Sequence, residues 1–300
     1  MTTLALDAAG SIPDSRPEAP AKARPKRPIP VRAMGFPFVE RNVPRFWLMG
    51  SPHATHYSNA LNSLFPEGER FFIRSVKHYL DRIQDDPELV KRVKGFFGQE
   101  GRPGHEHERW NRILEEQGYE IESFLRAHEE IAYGKFEKTA PPALRLAVTA
   151  ALEHFTATMA LNGLTGELLD HAHPVMAELL RWHAAEEIEH KSVAFDVFMK
   201  VDGRYAVRVL GLGVALGGLL LSWRAATKHL LAQEAARGTD LEAYAAWARS
   251  DPRMQAENER RAKMFRSAIR DYLRPDFHPD QRDDYELARG YLASIGRLDG

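Results

Sequence analysis

Apolar residues recur along most of this chain at spacings of three and four, the period of an amphipathic helix, and no segment alternates in a way that demands a sheet. Phe72, Val76, Tyr79, Leu80 and Ile83 form one such stripe, predicting a first helix that opens near Pro66 and carries Glu69 on its inward face. Asp85, Asp86 and Pro87 turn the chain into a second helix, whose Leu89, Val93, Phe96 and Phe97 direct Glu100 at the core. A break at Gly118 precedes a helix from Ile121 to Phe136. Pro141 and Pro142 then open ALRLAVTAALEHFTATMAL, apolar almost all round and so central, with Glu153 interrupting it. Another helix is expected from Pro174 to Met199. The uncharged run from Val209 to Trp223 falls short of the roughly twenty apolar residues of a membrane span, so a buried helix or hydrophobic interface is the first reading and a membrane-dipping segment the second. Amphipathic helices starting at Thr239 or Asp240 and at Asp251-Pro252, then one last helix, complete an all-α chain.

The prolines from Pro13 to Pro30 mark residues 1–30 as a disordered tail. Residues 31–205 form the expected main domain, entered through an arm packed by Phe36, Phe38, Phe46 and Trp47, and residues 206–300 a helical extension on it. No secretory signal opens the chain. The 41 basic and 42 acidic residues leave a net charge of -1, which argues against a nucleic-acid binder working through a broad positive surface. The absence of cysteine removes thiolate nucleophiles, iron-sulfur clusters and zinc-thiolate sites, and fits a cytoplasmic protein. A metal would have to be held by nitrogen and oxygen, and 13 histidines supply the nitrogen.

The segment RWHAAEEIEHK carries that chemistry. On a helix, His183, Glu187 and His190 leave one face at spacings of four and three, whereas Glu186 and Glu189 turn toward solvent or stand behind the ligands. Glu-x-x-His cannot fill a coordination shell alone, so partners are needed from neighbouring helices. Glu69, Glu100 and Glu153 supply them, because an inward carboxylate is costly without a partner. The order Glu; Glu with His; Glu; Glu with His is that of ferritin-like di-metal carboxylate four-helix bundles. The second motif is incomplete, since Pro103 stands where its histidine belongs and, with two glycines nearby, is expected to distort the helix. His154 points away from Glu153, and the remaining histidines, among them His53, His56 and His278, read as surface or structural residues.

FPEGERFFIRSV, FFGQEGR with a later HEHERWN, LEHFTA and RWHAAEEIEHKSVAFDV resemble the bacterial family called predicted metal-dependent hydrolases, whose fold is similar to the ferritin-like bundle. The resemblance implies metal ligation by Glu69, Glu100, Glu153, Glu187 and His190, with His107 matching a further histidine of the second motif. Pro103 departs from that pattern. Either His105 or His107 reaches the metal after a local helix break, or one metal site is under-ligated, or the chemistry is lost. The run His183-x-x-x-Glu187-x-x-His190 is also similar to that of di-iron arylamine N-oxygenases, which implies that His183 is an extra ligand; bonding to Glu187 from behind the metal is the alternative.

Two divalent metal ions are therefore expected, iron first, with manganese or zinc as alternatives. The ligand set favours an oxygen-activating oxidase or oxygenase acting on a small apolar molecule. The alternative is a hydrolase in which metal-activated water loses its proton to a catalytic acid such as Glu186, and a degenerate, non-catalytic metal-binding bundle is the third reading. Peripheral membrane contact through 209–223 and a homodimer complete the expectations.

Overall fold

The computed structural model describes residues 27–299 except Glu40, so most of the expected disordered tail lies outside the described residues. Among these the chain is all-α: the one β-type contact is an isolated bridge between Leu48 and Ala172. Residues 27–51 are irregular, and Phe36, Phe38 and Trp47 bury themselves as the arm was expected to, with Phe46 half-buried.

Helix α1, Pro52–Lys77, begins fourteen residues before the expected start at Pro66. The effective start signal is Ser51-Pro52: the Ser51 hydroxyl accepts from the Ala54 N–H, and Pro52 occupies a first-turn position where its missing donor costs nothing. Pro66 lies inside the helix and forfeits one internal hydrogen bond. Helix α2, Pro87–Glu116, starts as expected, with the Asp86 carboxylate capping the Leu89 N–H. It runs unbroken through Pro103 and Gly104, contrary to the expected distortion. A single proline removes one donor from a helix of 30 residues, and the packing of Phe96, Trp110 and Leu114 on either side holds the rest in register.

Gly118, at φ +88°, turns the chain into α3, Glu122–Glu129, which passes through a π-helical stretch, Glu130–Lys135, into the single turn α4, Phe136–Thr139. Helix α5, Pro142–Thr165, is the central one foreseen and packs against both α1 and α6, Pro174–His190. The expected helix from Pro174 to Met199 is in fact two, for the chain turns at Lys191 and Ser192 before α7, Val193–Val201. The buried Lys191 ammonium is drawn to Asp284 and to the carbonyl of Arg282, 2.6 Å away, which anchors that turn.

Helix α8, Tyr205–Ala236, is not the buried helix of the first reading. Gly211 meets α5 so closely that a Cβ would lie 2.7 Å from Ala147, whereas Leu210, Leu220 and Leu221 on other sides are exposed. By length and composition it is the one helix among the described residues that could cross a membrane. Helices α9, Leu241–Ser250, α10, Pro252–Tyr272, and α11, Tyr285–Ser294, follow, with α10 on α5 and α11 on α6. The apolar core divides into two clusters, one around Trp110 and Trp182 and one around Phe96 and Phe198. A layer of buried carboxylates and imidazoles lies at the boundary, on α1, α2, α5 and α6.

Candidate metal centre

Helix α1 contributes Glu69, α2 Glu100 and His107, α5 Glu153, and α6 His183, Glu187 and His190, all buried. They form two groups. Donor atoms of Glu69, His107 and His183 lie within 4.8 Å of one another, and so do those of Glu100, Glu187 and His190. Glu153 joins the second group, its Oε2 3.5 Å from His190 Nε2. Because α2 is unbroken, His107 stands about 10 Å further along the axis than Glu100 and serves the other group. His105 is exposed, and Pro103 is buried between the two levels.

Glu187 spans both groups. Its Oε1 is 2.9 Å from His183 Nε2 and its Oε2 is 3.7 Å from His190 Nε2. His183 bonds Glu187 and also faces Glu69 Oε1 at 3.6 Å and His107 Nε2 at 2.8 Å. The His107 Nδ1–H donates to Asn62 Oδ1 at 2.6 Å, which aims Nε2 inward.

Both carboxylate oxygens of Glu69, Glu100 and Glu153, Glu187 Oε2 and His190 Nε2 are buried without a hydrogen-bond partner. So many orphaned acceptors at one point are costly unless a cation takes their lone pairs, and the N/O donor set suits iron, manganese or zinc. Electrostatics points the same way. Burial, with the charges of Glu100 and Glu187, pushes the Glu69 carboxyl well above its ordinary range, and burial with Glu100 does the same to Glu153. Burial opposes a charge on His190, yet Glu153, Glu100 and Glu187 crowd around it and push it well above the usual imidazole value. Burial and the neighbouring His183 push His107 down, keeping it a neutral donor.

Gly104 makes room for this arrangement, because a Cβ there would overlap Glu69 Oε2. Gly104→Ala should leave the helix intact, or firmer by up to about 1 kcal/mol on propensity, while displacing the Glu69 carboxylate. Metal analysis of the variant should show loss of about one equivalent per chain, with no fall in the melting temperature of the metal-free chain. Undiminished metal content would mean that Glu69 is not a ligand.

A polar network fixes the second group from behind. His190 Nδ1–H donates to Gln99 Oε1 at 3.0 Å, and Gln99 Nε2 donates to Glu189 Oε2 at 2.6 Å. The buried Arg32 guanidinium grips both Glu189 oxygens, at 2.6 and 3.0 Å, and Glu186 Oε1 at 3.3 Å. It also donates to the carbonyls of Arg297 and Leu298. Neither glutamate reaches solvent; burial pushes the Glu186 carboxyl up to about 8 despite Arg32. Arg32, Gln99, Asn62 and Gly104 escaped the sequence reading; the nearest signal was the adjacency of Gln99 to Glu100.

A cavity of about 480 Å³, walled mainly by apolar side chains, reaches the centre at His183 and Glu187. Glu186, expected to accept a proton from activated water, does not line it and faces Arg32 instead. His53 lines the cavity; His56 is buried against Glu234 and Tyr119, and His154 bonds the carbonyl of Ala268, and neither belongs to the two donor groups.

No curated protein and no solved structure matches the chain. Residues 30–283 match the family model described as predicted metal-dependent hydrolase, the chemistry that the buried Glu/His groups fit, and the chain belongs to that family.

Proposed function

We propose that this protein hydrolyses a small, largely apolar substrate that enters the cavity with its scissile bond against Glu187 and His183. The observation that carries the reading is that this apolar cavity ends on the carboxylate shared by both donor groups. Metal ions bound there would supply Lewis acidity toward a substrate oxygen and acidify water at neutral pH. Glu69, His107 and His183 would hold one ion, and Glu100, Glu153 and His190 another, with Glu187 between. The apolar walls exclude bulk water and strengthen every charge interaction inside. Asn62 and Gln99 fix the rings of His107 and His190, so the donors are aimed before substrate arrives.

An oxygen-activating oxidase is the second reading, favoured by the one-carboxylate bridge between two groups drawn from four helices. The two separate in one experiment. Chain stripped of metal and reloaded with zinc or manganese should cleave nitrophenyl acyl esters, and Glu187→Ala should not. Oxygen consumption with ferrous iron, and no ester cleavage with any metal, would replace the hydrolase by the oxidase.

A further inference from the structure

We infer that the outer end of the cavity binds an anion on Arg261, so that the substrate is an amphiphile: an apolar body whose charged end lies remote from the reacting bond. The inference rests on the cavity being the substrate pocket. Among the residues lining it, the acid and base side chains are Glu187 and His183 at the inner end, His53, and Arg261. Glu187 and His183 are each 4% exposed, whereas Asn258 is exposed and the Arg261 side chain is 24% exposed, so the cavity runs from the bundle interior to the surface of α10. Leu61, Phe65, Met159, Leu180 and Phe265 are among its apolar walls. About 480 Å³ is the size of pockets that take a medium-length alkyl chain or small ring system.

The Arg261 guanidinium is placed for a ligand. Its Cζ lies 5.2 Å from the Tyr57 ring, itself part of the wall, which keeps the head at the rim. One Nη donates to Asn258 Oδ1 at 2.5 Å. Glu257 Oε1 is 3.8 Å from Nε, outside hydrogen-bond reach, and already accepts from Asn162 Nδ2 at 2.7 Å. Most of the five guanidinium donors remain for a carboxylate, sulfonate or phosphate fork. Glu257 weakens the local potential without occupying the fork. His53 adds no opposing or helping charge, because burial lowers its pKa and keeps it neutral. An apolar channel with a cation at its mouth favours fatty-acid-like anions over alcohols or amines of equal length.

The test uses the full chain as purified and isothermal titration with decanesulfonate, whose head is a poor metal ligand, against decanol. The sulfonate should bind roughly tenfold more tightly, the worth of one charge-assisted contact, and high salt should erase the difference. Arg261→Met should remove that preference and leave decanol binding unchanged. Met159→Trp, which fills the channel, should weaken both ligands. Equal sulfonate binding by the wild type and Arg261→Met, or undiminished binding of both ligands by Met159→Trp, overturns the assignment. Failure of metal-loaded chain to cleave any ester would remove the hydrolase reading and leave these affinities standing; retained ester cleavage with no sulfonate preference would remove the anion site alone.

Discussion

Glu187→Ala should empty both halves of the centre, whereas His107→Ala should empty one. Among the described residues Glu187 is the one side chain that faces both groups, one oxygen 2.9 Å from His183 and the other 3.7 Å from His190. Of the other donors, His107 faces Glu69 and His183, both in its own group. Elemental analysis should therefore find about two metal equivalents in the wild type, about one in His107→Ala and close to none in Glu187→Ala. Thermal unfolding supplies the second readout. At metal concentrations 100 times the dissociation constant the wild type gains about 2.7 kcal/mol of stability for each ion bound, and Glu187→Ala should gain almost nothing. Without metal the variant should lose some stability too, because, although burial opposes it, hydrogen bonds and charge from His183 and His190 hold the Glu187 carboxyl well below its ordinary range, so the metal-dependent gain is the readout that isolates ligation. Retention of one full equivalent by Glu187→Ala would show that the two groups do not share this carboxylate.

The difference between these variants could not be read from the sequence. Spacings of three and four place His183, Glu187 and His190 on one helix face, and a costly inward carboxylate singles out Glu153 inside an apolar helix; both inferences are local. The division of the donors into two groups depends on how far α2 slides along α1 and α6, which no periodicity encodes. Pro103 misled for a related reason: its local cost is real, but the helix survives on tertiary packing around Phe96 and Trp110. Likewise α8 is apolar by composition, and only the fold decides that Gly211 lies against α5 while Leu221 stays 72% exposed. Residues that act across long separations were invisible. Arg32 stands in an arm without periodicity, and its partners Glu186 and Glu189 lie 154 and 157 positions away.

Arg32→Ala should be the most destabilising single change outside the donor groups. The guanidinium is 2% exposed and holds Glu189 by two oxygens, Glu186 by one, and the carbonyls of Arg297 and Leu298. Removing it leaves the Glu189 carboxylate buried without its cation and Glu186 without its donor, a loss of about 3–5 kcal/mol, seen as a large drop in melting temperature. Arg32→Lys should recover only part of it, because one ammonium cannot reproduce a planar fork meeting acceptors on both sides. The same change should reach the metal. Glu189 positions Gln99, and Gln99 accepts from His190 Nδ1–H, so freeing Glu189 frees the imidazole and should weaken metal affinity about 10- to 100-fold. Gln99→Ala isolates that effect, cutting the link to His190 while Arg32 still holds Glu189. If Gln99→Ala binds metal as tightly as the wild type, the Arg32 network stabilises the fold without steering His190.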